Sequence, residues 1–464
     1  MNIQDITKHF TDTPDYSDLD KEKIAKALSK AITFPTVSYE DESRMDGKAF
    51  KALHAFLEGA FPLVHKHMEK VVINEWSLVF HWKGSDASLK PALFMAHLDV
   101  VPVSPGTEGD WTHPPFSGYI DGDFVWGRGA IDTKGQVLGE LFAAEYLLEK
   151  GHIPKRDIYF VFGHDEETMG VNGTLACKEY IEKKDVKLEF VMDEGGGFKM
   201  GGEFGAPGAL IARVDIFEKG YIDVAIEGTG AGGHSSRPGK GTVLGKVAKA
   251  ISKIEDNQLP AHLNEVTASM FKALEPVITE EPFKSYVKEI DTESQAFADY
   301  LCSTNLAPMV HTTTALTMIN GSPAPNVLPQ SVRALINFRI APEGTCDSVL
   351  KHCIDTANDA ELNIFMTKGL NPSKISSIDS IGFEAIVNAT NKFIKDVTVL
   401  PGLVLGGTDC RYFEDICDCC YRFRPYLDNM LLGYTTHSTD ERCYVPGMVQ
   451  GIKIIIEVMS KTCF

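Results

Sequence analysis

Apolar positions recur along the chain with two periods. Over 18–32 and 47–61 they fall three and four residues apart, the spacing of one helix face, which predicts two amphipathic helices. Over 71–82 the pattern loosens into alternation around Leu78, Val79 and Phe80, predicting a strand. Three further runs, within 92–96, 157–162 and 188–192, are apolar almost throughout, long enough for buried strands and short for helices. Each leads into residues able to do chemistry: His97 and Asp99, then Gly163-His-Asp-Glu-Glu167, then Asp193-Glu-Gly-Gly-Gly197. A helix is predicted at 136–149. Apolar strands that alternate with helices or loops and finish in acids or histidine describe the carboxyl edge of a largely parallel α/β sheet, where such folds place ligands.

The pattern changes near 217. A strand at 221–226 is followed by a turn at 230–239 containing His234-Ser-Ser-Arg-Pro238, an amphipathic helix at 242–254 and a polar, helical stretch at 257–306. Strands at 313–319 and 332–340, a helix at 346–357 and a strand at 362–367 complete this region. Strand, helix, two strands, helix, strand is the split βαβ order of a ferredoxin-like domain. The expected fold class is α/β: a main domain, 1–215 and 376–464, on a mixed, mostly parallel sheet, with an inserted ferredoxin-like α+β domain at 216–375.

Composition narrows the function classes. With 464 residues, 44% of them hydrophobic, the chain can bury large cores. Its net charge of −19 disfavours nucleic acid and anionic membranes as partners. The first ten residues lack a basic flank before an apolar core, and no apolar run is long enough to span a bilayer, so a cytoplasmic protein with reduced thiols is expected. Cys410, Cys417, Cys419 and Cys420 crowd together but lack the paired two-residue gaps of a zinc ribbon.

On an extended segment His97 and Asp99 point to one face, so the carboxylate can orient the imidazole. Glu166 and Glu167 are neighbours whose carboxylates diverge, one free to bind a cation while the other handles a proton. In Trp126-Gly-Arg-Gly-Ala-Ile-Asp-Thr-Lys-Gly135, Gly127 and Gly129 permit a tight turn and Asp132 stands just before a helix, without the glycine spacing of a phosphate loop. Taken singly, each is also what a solvated loop looks like. Together His97, Asp132, Glu166, Glu167, Asp193 and His437 supply two imidazoles and four carboxylates. Five could hold two divalent cations, most readily zinc, with cobalt or manganese allowed, and one would remain for acid–base work.

These segments resemble the di-zinc metallopeptidase family of carboxypeptidase S, aminoacylase and the succinyl-diaminopimelate desuccinylases. The resemblance runs through Met95-Ala-His-Leu-Asp-Val-Val-Pro102, 126–134, Gly163-His-Asp-Glu-Glu167, Asp193-Glu194, Gly233-His-Ser-Ser-Arg-Pro238, Asn326-Val-Leu-Pro329, Asn337-Phe-Arg339, Gly407-Thr-Asp409 and His437 with Glu441, and is greatest to the carboxypeptidase S branch. It implies that Asp132 bridges two metals, with His97 and Asp193 completing one site and Glu167 and His437 the other. It implies Glu166 as general base, Asp99 as orienter of His97, and His234 as oxyanion stabiliser when the inserted domain closes as a lid about hinges near 215 and 375. A cis bond between Asp132 and Thr133 is implied as well. Asn326 and Arg339 would hold a substrate's free α-carboxylate, and backbone groups at Gly406 and Gly407 could add donors to the same anion.

The expected activity is therefore hydrolysis of the amide bond next to a C-terminal amino acid in small peptides. An N-acyl amino acid amidohydrolase is the alternative, and an inactive binding protein on the same fold the third reading. A homodimer through the inserted domain is compatible with this family. Two positions depart from the relatives: Thr133 follows the bridging aspartate where many have an acid or methionine, and Ser438 follows His437 where the branch has glycine.

Overall fold

The computed structural model describes residues 3–428 and 435–464. Its large sheet has nine strands, in the order Glu69–Ile73, Ser77–Trp82, Ile158–Gly163, Ala92–His97, Phe190–Asp193, Cys420–Arg422, Ala206–Glu218 and Val397–Val404, with Gly197–Gly201 also paired to Ala206–Glu218. Ala92–His97 and Ile158–Gly163 are buried at every position. Leu93, Met95 and Val161 pack with Cys177 and Ile181 of the helix Thr174–Glu182. Ala92, Phe94 and Phe160 instead join the core built by the helices Lys134–Glu149 and Val445–Cys463. Both faces are covered, which is why these strands read as continuous apolar runs rather than as alternation.

Two expectations change at this level. The alternating stretch 71–82 is a hairpin: Asn74 and Glu75 take left-handed backbone (φ 45° and 68°) and reverse the chain between two antiparallel strands. The large sheet is mixed in equal measure rather than mostly parallel, with four parallel and four antiparallel pairings. The parallel pairings include those of Ala92–His97 with Ile158–Gly163 and Phe190–Asp193, so the carboxyl ends of these three strands share one edge.

A second, four-stranded sheet runs Thr313–Asn320, Ser331–Ile340, Gly220–Thr229 and Leu362–Leu370, antiparallel throughout. The helices Val243–Asp256 and Cys346–Ala357 cover one face, and Ile222, Val224, Val247, Ile251, Ile336 and Val349 form a separate small core. The expected boundaries 216–375 enclose more than this unit. The helices Glu265–Leu274 and Gln295–Cys302 turn Val266, Met270, Phe271 and Phe297 into the large core beside Leu210 and Leu400, because their apolar faces find no free surface on the small sheet, whose inner face the two other helices occupy. All ten cysteines are free thiols. Among the described residues no helix is long and apolar enough to cross a membrane.

Candidate metal centre

Loops leaving the common strand edge converge on one cluster. His97 ends its strand, opposite Gly163 in register, and the three-residue turn Glu166–Thr168 follows immediately after the neighbouring strand. Asp132 enters from the glycine-rich turn before Lys134–Glu149, and His437 from a loop near the C-terminus. His97 Nε2 lies 3.1 Å from Asp132 Oδ1 and 3.1 Å from Glu194 Oε1. His437 Nε2 lies 3.0 Å from Asp132 Oδ2 and 3.0 Å from Glu167 Oε2. Two ligand groups result, His97–Asp132–Glu194 and Asp132–Glu167–His437, each with donor atoms within 4.8 Å of one another and joined through the two oxygens of Asp132. The bond from Asp132 to Thr133 is cis, as the family resemblance implies.

Buried carboxylates hold these side chains in place. Asp99 is fully buried. Its carbonyl oxygen is 3.0 Å from His97 Nδ1, so Nε2 faces inward. Its carboxylate accepts the backbone N–H groups of Glu166 and Glu167, both at 3.2 Å, and the Ser38 hydroxyl at 2.6 Å. Its Oδ1 also lies 3.3 Å from His97 Nδ1, so one residue, through its backbone carbonyl and its carboxylate, orients the histidine and the Glu-Glu turn together. Glu441 does the same for the bridging loop: its Oε1 accepts the N–H groups of Gly129, Ile131 and Asp132 at 3.0, 2.8 and 3.1 Å, and Arg128 Nη1 meets its Oε2 at 2.6 Å.

The cluster carries more negative than positive charge. Burial alone would lower the pKa of His97, but Glu194, Asp132 and Asp99 raise it well above the usual imidazole value. Hydrogen bonds to Asp132 and Glu167 push His437 up to about 10. Burial raises Glu167 to about 7 despite its histidine partner, and Asp132 adds to that rise. Glu167 Oε1 is buried and has no hydrogen-bond partner among the described residues. Excess buried carboxylate, an orphaned oxygen and mixed nitrogen and oxygen donors are what divalent cations would neutralise, so the residues fit such ions.

One predicted ligand stands outside both groups. Asp193 is buried, but its Oδ2 accepts the Cys410 N–H at 2.9 Å, tying down the turn after Val397–Val404, and Glu194 takes its expected place beside His97. Successive residues at a strand end face opposite ways, and the Asp193-Glu194 pair alone does not reveal which acid turns inward. Glu166 lies beside the cluster, 3.9 Å from His97 Nε2, outside both ligand groups.

The remaining predicted residues stand apart from it. His234 is exposed on the two-residue strand Gly233–His234, its Nδ1 3.1 Å from the Ser236 backbone nitrogen. Asn326 is exposed nearby, its carbonyl accepting the Ser235 N–H at 3.0 Å. Arg339 is half-buried with its guanidinium 4.8 Å from the Tyr221 ring centroid, and no carboxylate among the described residues pairs with it. Gly406 is half-buried and Gly407 exposed, and the adjoining Thr408 hydroxyl donates to Glu218 Oε1 at 2.7 Å. Glu441, which sequence reasoning matched to relatives without a role, is the supporting residue missed; its position four residues after His437 was the available signal. A further group, Glu42, His164 and Asp165, is otherwise engaged: Asp165 accepts the Asn172 and Gly173 N–H groups and His164 bonds Ser77.

The sequence profile of peptidase family M20/M25/M40 matches residues 93–461. A probable carboxypeptidase S-like protein of Dictyostelium discoideum is 34% identical over 460 residues, covering 97% of this chain and 88% of that protein. An N-fatty-acyl-amino acid synthase/hydrolase of Bos taurus is 31% identical over 444 residues, covering 94% and 87%. The solved structure of an M20 family metallo-carboxypeptidase from Sulfolobus solfataricus superposes with a TM-score of 0.69 at 19% identity, covering 94% of this chain and 98% of that one, and so shares the fold.

Proposed function

Because the chain belongs to peptidase family M20/M25/M40, we propose that it is a metal-dependent exopeptidase acting on the amide bond next to a C-terminal amino acid in small peptides. His97, Asp132 and Glu194 would hold one divalent ion and Asp132, Glu167 and His437 a second, with zinc best suited to the donors. Ions bound there would supply Lewis acidity to the scissile carbonyl and acidify water. Glu166, close to the cluster but in neither ligand group, would take the proton of the attacking water and pass it to the leaving nitrogen. Asp99 and Glu441 would hold the ligands in position throughout.

The observation that carries this reading is the sharing of Asp132 between two ligand groups, with a spare carboxylate alongside. Metal analysis should find two ions per chain; chelation should abolish dipeptide hydrolysis, and zinc, cobalt or manganese should restore it. Full turnover in a verified metal-free sample would sink the proposal.

In this reading the small sheet with its two helices is an inserted, ferredoxin-like lid. The chain crosses into it at 218–220 and leaves near 370–376, and closure there would bring His234 to the developing oxyanion. Arg339, Asn326 and the Gly406-Gly407 turn would bind the free α-carboxylate, which restricts cleavage to the C-terminal residue. The edge strand Thr313–Asn320, with Leu316, Met318 and Ile319 exposed by 36%, 54% and 48%, is the surface through which two copies would associate. The likeness to an N-fatty-acyl-amino acid synthase/hydrolase supports a second reading, hydrolysis of N-acyl amino acids by the same site.

A further inference from the structure

The choice between these two substrate classes turns on the amino end of the substrate, and the small sheet carries a group suited to read it. Ile222, Val224, Ile336 and Phe338 point into the small core, so their neighbours Tyr221, Asp223, Asn337 and Arg339 occupy the opposite face of the sheet. One side chain of that face reaches a loop that supports the metal centre. Lys368, beside Asp223 in register, reaches Glu40 at 3.9 Å, two residues from Ser38, whose hydroxyl holds Asp99. Glu42 of the same loop accepts from Asn172, just beyond the Glu166-Glu167 turn.

On this face two opposite charges are held side by side without neutralising each other. Asp223 Oδ2 accepts the Tyr221 hydroxyl at 2.5 Å and its Oδ1 the Asn337 amide at 2.9 Å. Both donors are neutral, and no cationic side chain among the described residues forms an ion pair with this carboxylate; Lys368 is drawn to Glu40 instead. Arg339 lies over the ring of the same Tyr221 and has no carboxylate partner among the described residues. Tyr221 therefore fixes both groups, stacking on one and hydrogen-bonding the other. Arg339 pairs in register with Tyr221 and Asn337 with Asp223, so the charged positions are diagonal neighbours on adjacent strands, about 7 to 8 Å apart. An extended dipeptide spans about 7 Å as well.

We propose that Asp223 and Arg339 are the two ends of a clamp for a zwitterion: Arg339 takes the α-carboxylate and Asp223 the α-ammonium group, so that unblocked dipeptides are favoured over N-acyl amino acids. This rests on the exopeptidase reading above and names its substrate class. An acyl chain offers Asp223 no donor, and closing the cleft over it would strip water from a carboxylate that gains nothing in exchange. A site built around a charged hydrogen bond rejects an analogue that lacks the partner far better than an apolar pocket rejects an added group.

The test compares alanyl-leucine with N-propionyl-leucine, which differs only in lacking the amino group, on metal-loaded enzyme. Wild type should show a kcat/KM for the dipeptide at least about tenfold higher. Asp223→Asn, close in shape, should bring that ratio toward one, chiefly through KM of the dipeptide, while leaving the preference for alanyl-leucine over its C-terminal amide in place. An unchanged ratio in Asp223→Asn overturns the clamp. If that variant does not fold, the wild-type comparison decides, and parity or a preference for the propionyl compound overturns it. Absence of acid-over-amide preference in the wild type would instead overturn the underlying carboxylate anchor, a result read from a different pair of substrates.

Discussion

The edge of the large sheet and the outer face of the small one both carry charge, but they treat it differently. At the strand ends nearly every carboxylate is buried and cross-bonded: Asp99 to three partners besides His97, Glu441 to four, Asp132 to both histidines. On the small sheet Arg339 and Asp223 are half-buried and lack charged partners among the described residues, and His234 is exposed. The first region is preorganised, its geometry fixed before anything binds. The second leaves its charges without ionic partners among the described residues, as the proposed recognition of a substrate's two ends requires. Such a division suits an enzyme whose chemistry sits on a rigid body and whose recognition is completed by closure.

The comparison can be broken at its strongest point first. Glu166→Gln should lower kcat by roughly two to four orders of magnitude with metal content retained, since it removes a proton acceptor and no ligand; wild-type rates would reassign the base. Next in size, Glu194→Ala and His437→Ala should each reduce metal bound after dialysis, whereas Asp193→Asn should keep it. The reverse pattern in metal analysis would return Asp193 to the site. On the small sheet, Arg339→Ala should erase most of the preference for a dipeptide over its amide, a loss of about tenfold to a hundredfold in kcat/KM for the free acid. Equal hydrolysis of acid and amide by wild type would remove the anchor. The smallest effect is expected at Glu441→Gln, which weakens the bonds to Arg128 and the bridging loop and should cost about 1–3 kcal/mol of stability in urea unfolding. A wild-type midpoint there would mean that the loop holds its shape without this carboxylate.

Much of this was legible in the chain. Continuous apolar runs ending in His97, in Glu166-Glu167 and in Asp193-Glu194 gave three strands of one sheet with their chemistry at one edge, because burial on both faces leaves that signature whatever the partners are. The helix at Cys346–Ala357 agrees in both bounds with the one expected from the sequence, and the structure adds its Thr345 cap. Order along the chain likewise indicated the four-stranded unit with its two helices.

Tertiary structure decided what depends on distant neighbours. Which of Asp193 and Glu194 turns toward His97 is set by the Cys410 N–H that engages Asp193 from the far side, more than two hundred residues away in sequence. The helices between 265 and 302 share a sequence interval with the small sheet but pack on the large core, since an amphipathic face records that it must be buried and not against what. The reach of Glu441 to Asp132, and the failure of Asp223 and Arg339 to pair, likewise exist only once strands and loops are brought together. Local sequence carries periodicity and chemical type; register, side-chain direction and the partner that each charge finds are properties of the assembled chain.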